Sequence, residues 1–80
     1  MEIRNLITFV RIAEVQSFSK TAEQLGYSQS AVTMQIKQLE AELHRQLFER
    51  IGKQVKLTQA GERLLPYALE ILNSVRKAES

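Results

Sequence analysis

The sequence predicts a mainly α fold: a winged helix-turn-helix of three helices and a two-stranded β-hairpin wing, followed by a long linker helix. Three observations point there. Apolar residues recur at helical spacing in three successive segments that end near Leu43, and only short turns separate them. Two short β-prone runs, 48–51 and 54–57, flank the dipeptide Gly52-Lys53, a two-residue hairpin turn. A last amphipathic stretch then runs from residue 59 to about residue 78. Eighty residues suffice for one small core, and the 44% apolar and 25% charged fractions are those of an ordinary folded domain.

The first helix, from residue 2 to 15, has Ile3, Leu6, Ile7, Val10 and Ala13 on one stripe, widened by Phe9 and Ile12. So wide a stripe predicts burial on more than one side. Residues 16–19 are read as a turn, with Ser19 as the N-cap of a short second helix that turns Ala22 and Leu25 inward. Gly26 ends that helix, and only Tyr27 separates it from Ser28, the next N-cap. The third helix aligns Val32, Ile36, Leu39 and Leu43 on its inner line. So short a turn leaves no loop for an antiparallel return, and the two helices must cross steeply. Thr58 caps the last helix, whose Pro66 lies past the first turn and predicts a local kink. The chain divides into a winged helix-turn-helix at 1–58 and a linker helix at 59–80.

Composition removes several function classes. Cysteine, aspartate and tryptophan are absent, and His44 is the single histidine. That leaves no disulfide framework, no thiolate metal site and little material for hydrolysis, so neither an enzyme nor a cofactor is expected. His44 has a plainer role at the C-terminal cap of the third helix. The start lacks the basic segment of a secretory leader, and no apolar run approaches the length that crosses a bilayer. No membrane partner and a cytoplasmic location are therefore expected.

Segment 18–37 carries the functional signal. Ala22 is small where two helices approach, Gly26 permits the sharp turn, and Leu25, Val32 and Ile36 supply the shared core. With Val32 inward, Ser30, Met34, Lys37 and Ala41 point outward, with Thr33 and Gln38 on the flanks. Gln29, Ser30, Thr33 and Met34 sit near the N-terminal end, where a recognition helix reaches base edges in the major groove of double-stranded DNA. The free N–H groups and dipole at Ser28 favour a phosphate. Arg45, Arg50, Lys53 and Lys56 then give the hairpin a local basic excess within a formal net charge of only +2. Such a wing suits backbone or minor-groove contact, above all at Arg50 and Lys53 near its tip. A winged helix used for protein interaction or oligomerisation is the alternative, but it would want a more apolar outer face than Ser30, Thr33, Lys37 and Gln38 provide.

The last helix has two apolar rows. Leu64, Ala68, Ile71, Val75 and Ala78 form a heptad-like seam, and Leu65, Leu69 and Leu72 form a second. One row can dock on the domain and the other on a partner helix, so a homodimer through this helix is expected, with Leu64, Ala68, Ile71 and Val75 at the seam.

Taken together, segments 18–26, 28–33, 36–40, 47–50 and 57–61 closely resemble the N-terminal DNA-binding domain of LysR-type transcriptional regulators, over essentially the whole chain and without gaps. The resemblance implies a dimeric, bacterial, sequence-specific regulator of transcription. It places Gln29, Ser30, Thr33 and Met34 at base-reading positions, Ser28 and Lys37 on the backbone, and Arg50 and Lys53 in the wing. It also implies a small-molecule effector bound by a further domain that these residues do not include. Three positions depart from the family pattern. Ser30 stands where proline is frequent, Met34 where arginine is frequent, and His44 where glycine is usual. Met34 forfeits a bidentate guanine contact and can touch a thymine methyl instead.

Overall fold

The computed structural model describes all of residues 1–80. Three helices, α1 (Ile3–Val15), α2 (Phe18–Leu25) and α3 (Gln29–Leu43), precede strands β1 (Phe48–Ile51) and β2 (Gln54–Leu57) and the long helix α4 (Gln59–Glu79). The strands pair antiparallel with Phe48 opposite Leu57 and Ile51 opposite Gln54, so Gly52-Lys53 is the hairpin turn. Gly52 has φ 65°, the left-handed conformation such a turn requires. The expected winged helix-turn-helix is present.

The core lies where α1 meets α2, α3 and α4, built on Leu6, Phe9, Ile12, Val32, Leu39 and Leu47, each essentially sealed from solvent. At about 25 cal/mol per Å² of apolar surface, side chains of this kind each contribute roughly 1.5–3 kcal/mol. Of the α1 stripe, Ile3 and Ile7 remain exposed, whereas Phe9 and Ile12 are fully buried. The centre of the stripe is thus turned from its expected line, because α3 packs on the Phe9–Ile12 side. Two polar residues, Asn5 and Thr8, are buried with them.

The second helix starts two residues earlier than expected. Ser17, not Ser19, is its N-cap: Ser17 has extended backbone, and its Oγ accepts from the Lys20 N–H at 3.1 Å. Ser19 lies within the first turn, with its Oγ 3.2 Å from that of Ser17. Gln16 supplies the preceding turn alone, with φ 58°. Gly26 closes α2 at φ 76°, and Ser28 caps α3, as the sequence predicts.

Helix α4 continues unbroken through Pro66. Its docking differs from the two-row expectation. Ala68 is fully buried, and Leu64, Leu65 and Leu72 pack partly on the core, so members of both rows face the chain's own domain. Successive residues advance about 100° around a helix. Leu69 therefore projects on one flank of the docked stripe, and Tyr67 and Ile71 on the other; all three are exposed. No helix is long and apolar enough to cross a membrane.

Candidate nucleic-acid interface

The outward surface of α3 begins at its cap. Ser28 Oγ accepts from the Ala31 N–H at 3.1 Å and lies 3.2 Å from Ser30 Oγ. Gln29, Ser30, Met34 and Lys37 are exposed, while Thr33 is half-buried. Met34, at 72% exposure, is the most exposed large apolar side chain of the molecule. Nothing in the fold uses it.

Two clefts flank this ridge. Between α3 and the wing, a cleft of about 230 Å³ is lined by Thr33, Lys37, Glu40, Arg50 and the floor residues Ile36, Phe48 and Val55. On the other flank, between α3 and the start of α1, a cleft of about 390 Å³ is lined by Glu2, Arg4, Met34, Gln35 and Gln38, among others. The helix period accounts for the division. Taking Met34 as centre, Thr33, Lys37 and Glu40 fall to one side, and Ala31, Gln35 and Gln38 to the other. The structure thus brings Thr33, Lys37 and Arg50 together. Lys53 stands apart at the wing tip, and Gln29 and Ser30 lie at the helix N-terminus.

The wing is held by aromatic packing. The Phe48 ring lies 5.4 Å from Phe9 and 5.8 Å from Phe18, the latter edge-on. Each such pair contributes about 0.5–1.5 kcal/mol beyond its buried area. Together they fix the root of β1 against α1 and α2. Val55 adds the one buried side chain of the hairpin, leaving Arg50, Lys53 and Lys56 exposed. The three ion pairs of the molecule, Met1 ammonium–Glu42, Arg4–Glu2 and Arg11–Glu14, involve neither Lys37 nor any wing cation. Those cations remain available to an anionic partner.

Several residues that position the site carry no strong sequence signal. Glu40 Oε2 accepts from the Leu47 N–H at 2.8 Å, and the Glu40 carbonyl accepts from the Arg45 N–H at 3.2 Å. Glu40 thereby ties the end of α3 to the segment that leads into the wing. Asn5 Nδ2 donates to Gln38 Oε1 at 3.1 Å, and Thr8 Oγ1 donates to Gln35 Oε1 at 2.5 Å. These bonds lock α3 onto α1 in rotation. Two polar residues three apart inside an apolar stripe were their only trace in the sequence. No group of three or more His, Asp or Glu side chains could hold a metal ion.

A helix pair joined by a short turn, an exposed polar ridge on its second helix and a basic hairpin beside that ridge define a winged helix-turn-helix domain. The family model described as "Bacterial regulatory helix-turn-helix protein, lysR family" matches residues 3–62, and the chain belongs to that family. It is 47% identical over 79 residues to the transcriptional regulator YwqM of Bacillus subtilis, whose function is uncharacterised; the match covers 99% of this chain and 27% of YwqM. It is 51% identical to the transcriptional regulator CitR of the same organism, over 91% of this chain and 25% of CitR. The chain therefore spans about a quarter of the length of these curated relatives. Among solved structures, it is similar to BenM_DBD in complex with catB site 1 DNA (TM-score 0.91, 41% identity, 98% of this chain and 88% of that one). It is also similar to CbnR_DBD in complex with DNA (TM-score 0.92, 35% identity, 99% of this chain and 91% of that one).

Proposed function

We propose that the chain binds double-stranded DNA sequence-specifically as a homodimer and that the regulator it serves controls transcription, without enzymatic activity. The observation that carries this is the exposed ridge of Gln29, Ser30 and Met34 on α3, flanked by half-buried Thr33 and by unpaired Lys37 and Arg50. A helix of this kind enters the major groove by its N-terminal end. Gln29, Ser30, Thr33 and Met34 read base edges there, Ser28 and Lys37 hold phosphates, and Arg50 and Lys53 carry the wing onto the backbone or minor groove. Apart from Met34 the ridge is polar, which disfavours a protein-docking role. Similarity to domains solved in complex with DNA supports the same reading.

Residues 1–58 form the DNA-reading unit, and 59–80 the helix through which two copies pair. Of the expected seam residues, Ile71 is exposed and Val75 half-exposed, so they meet the partner directly. Ala68 and Leu64 set the helix against its own domain. Dimeric recognition places two α3 helices on half-sites about 34 Å apart. A small-molecule effector acts through a domain of the longer regulator, and a cytoplasmic location follows from the DNA partner.

Selection of bound duplexes from a random pool, followed by band shifts over a salt series, tests this. Affinity should fall as salt rises, because bound cations release counterions. Arg50→Ala and Lys53→Ala should weaken all duplexes alike, whereas Gln29→Ala and Met34→Ala should change which duplex is preferred. Equal affinity for every sequence would refute the proposal.

A further inference from the structure

The cleft between α3 and the start of α1 has a chemistry of its own. Asn5 Nδ2 donates to Gln38 Oε1, and Thr8 Oγ1 donates to Gln35 Oε1, so both glutamine carbonyl oxygens are already used. An amide whose oxygen is held inward presents its NH₂ group on the other side. Gln35 and Gln38 both line the cleft, together with Arg4 and Met34. Arg4 is 68% exposed, and its only ionic partner is Glu2, at a long 3.8 Å. The nearby Glu42 is occupied by the Met1 ammonium at 3.3 Å. The cleft therefore offers a guanidinium fork and two amide donors, with Glu2 as its one acid.

We propose that this cleft holds a backbone phosphate of the bound duplex, with Arg4 as the charged contact and the Gln35 and Gln38 amides as neutral donors. The inference rests on the DNA-binding proposal above. Its geometry comes from the position of the cleft. Thr33, Lys37 and Arg50 flank Met34 on the wing side, and Arg4, Gln35 and Gln38 flank it on the α1 side. A helix lying in a groove about 12 Å wide has a sugar–phosphate strand on each side. The wing takes one strand and Arg4 the other, so α3 is gripped from both flanks. Buried Asn5 and Thr8 act as positioning residues, because they hold the glutamine amides in the donating orientation. A guanidinium beside amide donors recognises a tetrahedral oxyanion by shape as well as charge.

The test measures binding of the 80-residue chain to a pool-selected duplex and to a scrambled duplex of equal length, over a KCl series. Arg4→Ala should weaken both duplexes about five- to tenfold, and should lower the slope of log affinity against log salt by about 0.9 per protomer. Arg4→Lys should restore the slope but only part of the affinity, since an ammonium keeps the charge and loses the fork. Glu2→Gln should strengthen binding about twofold by freeing Arg4, and most of that gain should vanish in the Arg4→Ala background; an undiminished gain there would count against Arg4 as the contact. Wild-type affinity and slope in Arg4→Ala, with Lys53→Ala still impaired, would overturn this inference and leave the DNA-binding proposal standing. Failure of the unaltered chain to bind any duplex would overturn both. A thermal melt of Arg4→Ala that matches the unaltered chain is expected from its exposure, and a collapsed melt would count against a contact role. Inorganic phosphate at matched ionic strength should compete no better than KCl; stronger competition would assign the cleft to free anions instead.

Discussion

His44 closes α3 with φ 55°, and its N–H bonds back to the Glu40 carbonyl. An L side chain in that left-handed conformation costs about 1 kcal/mol that glycine avoids. The departure from the family's usual glycine is therefore a local strain. His44→Gly should raise stability by about 1 kcal/mol in urea unfolding, and an unchanged midpoint would refute it. The cap position was legible in the sequence, because Leu43 ends the inner line of α3 and a helix must stop there. Thr21 was not legible in the same way. Its hydroxyl is buried without a hydrogen-bond partner, although threonine in a short amphipathic helix reads as a surface residue. Met34 shows the converse: as an apolar residue on an outward face it was visible in the sequence, and it remains exposed.

Elements were recovered where short-range physics decides them. Helical periodicity located α1, α3 and α4, the Ser28 and Thr58 caps fixed two starts, and Gly52-Lys53 fixed the hairpin register. Sequence patterns failed where two candidates compete locally, as with Ser17 against Ser19. They failed again at the edge of the α1 stripe, where Ile3 and Ile7 stay exposed although Leu6, Phe9, Val10 and Ile12 are buried against α2, α3 and α4. The way α4 joins the wing depends on contacts across the chain and left little local trace. Thr58 N–H donates to the Leu47 carbonyl at 3.0 Å, and Thr58 Oγ1 donates to the Gln46 carbonyl at 2.6 Å. Gly61 packs directly against the Leu47 backbone just before β1, and a Cβ there would overlap the Leu47 carbonyl. The Leu57 side chain could rotate away, but the Leu47 backbone cannot. Gly61→Ala should lose about 1–3 kcal/mol in urea unfolding, the range of an overpacked core. An alanine variant as stable as the parent would show that the α4 start is free to shift.

For the whole molecule, a formal charge of +2 conceals an uneven distribution. Glu2, Glu14 and Glu42 are paired with cations and Glu40 with a backbone N–H, whereas Lys37, Arg50, Lys53 and Lys56 have no acidic partner. The exposed apolar side chains beside the docked stripe of α4 tell a similar story about assembly. Ile71→Glu should shift sedimentation from dimer towards monomer, and an unaltered equilibrium would reject pairing through that flank. The sequence showed that α4 has more apolar surface than one contact uses, but not which residues remain outside, since that follows from its rotation against α1. The Gly61 contact pins the start of α4 against the Leu47 backbone. It also makes α4 a lever with a fixed fulcrum: the helix extends about 27 Å beyond Gly61, so each degree of tilt there moves its far end by about half an ångström. Two such levers paired along the flank of Ile71 and Val75 would turn small angular errors at the fulcrum into errors in half-site spacing. In the proposed dimer, the missing methyl of Gly61 would thus bound how precisely two half-sites are measured.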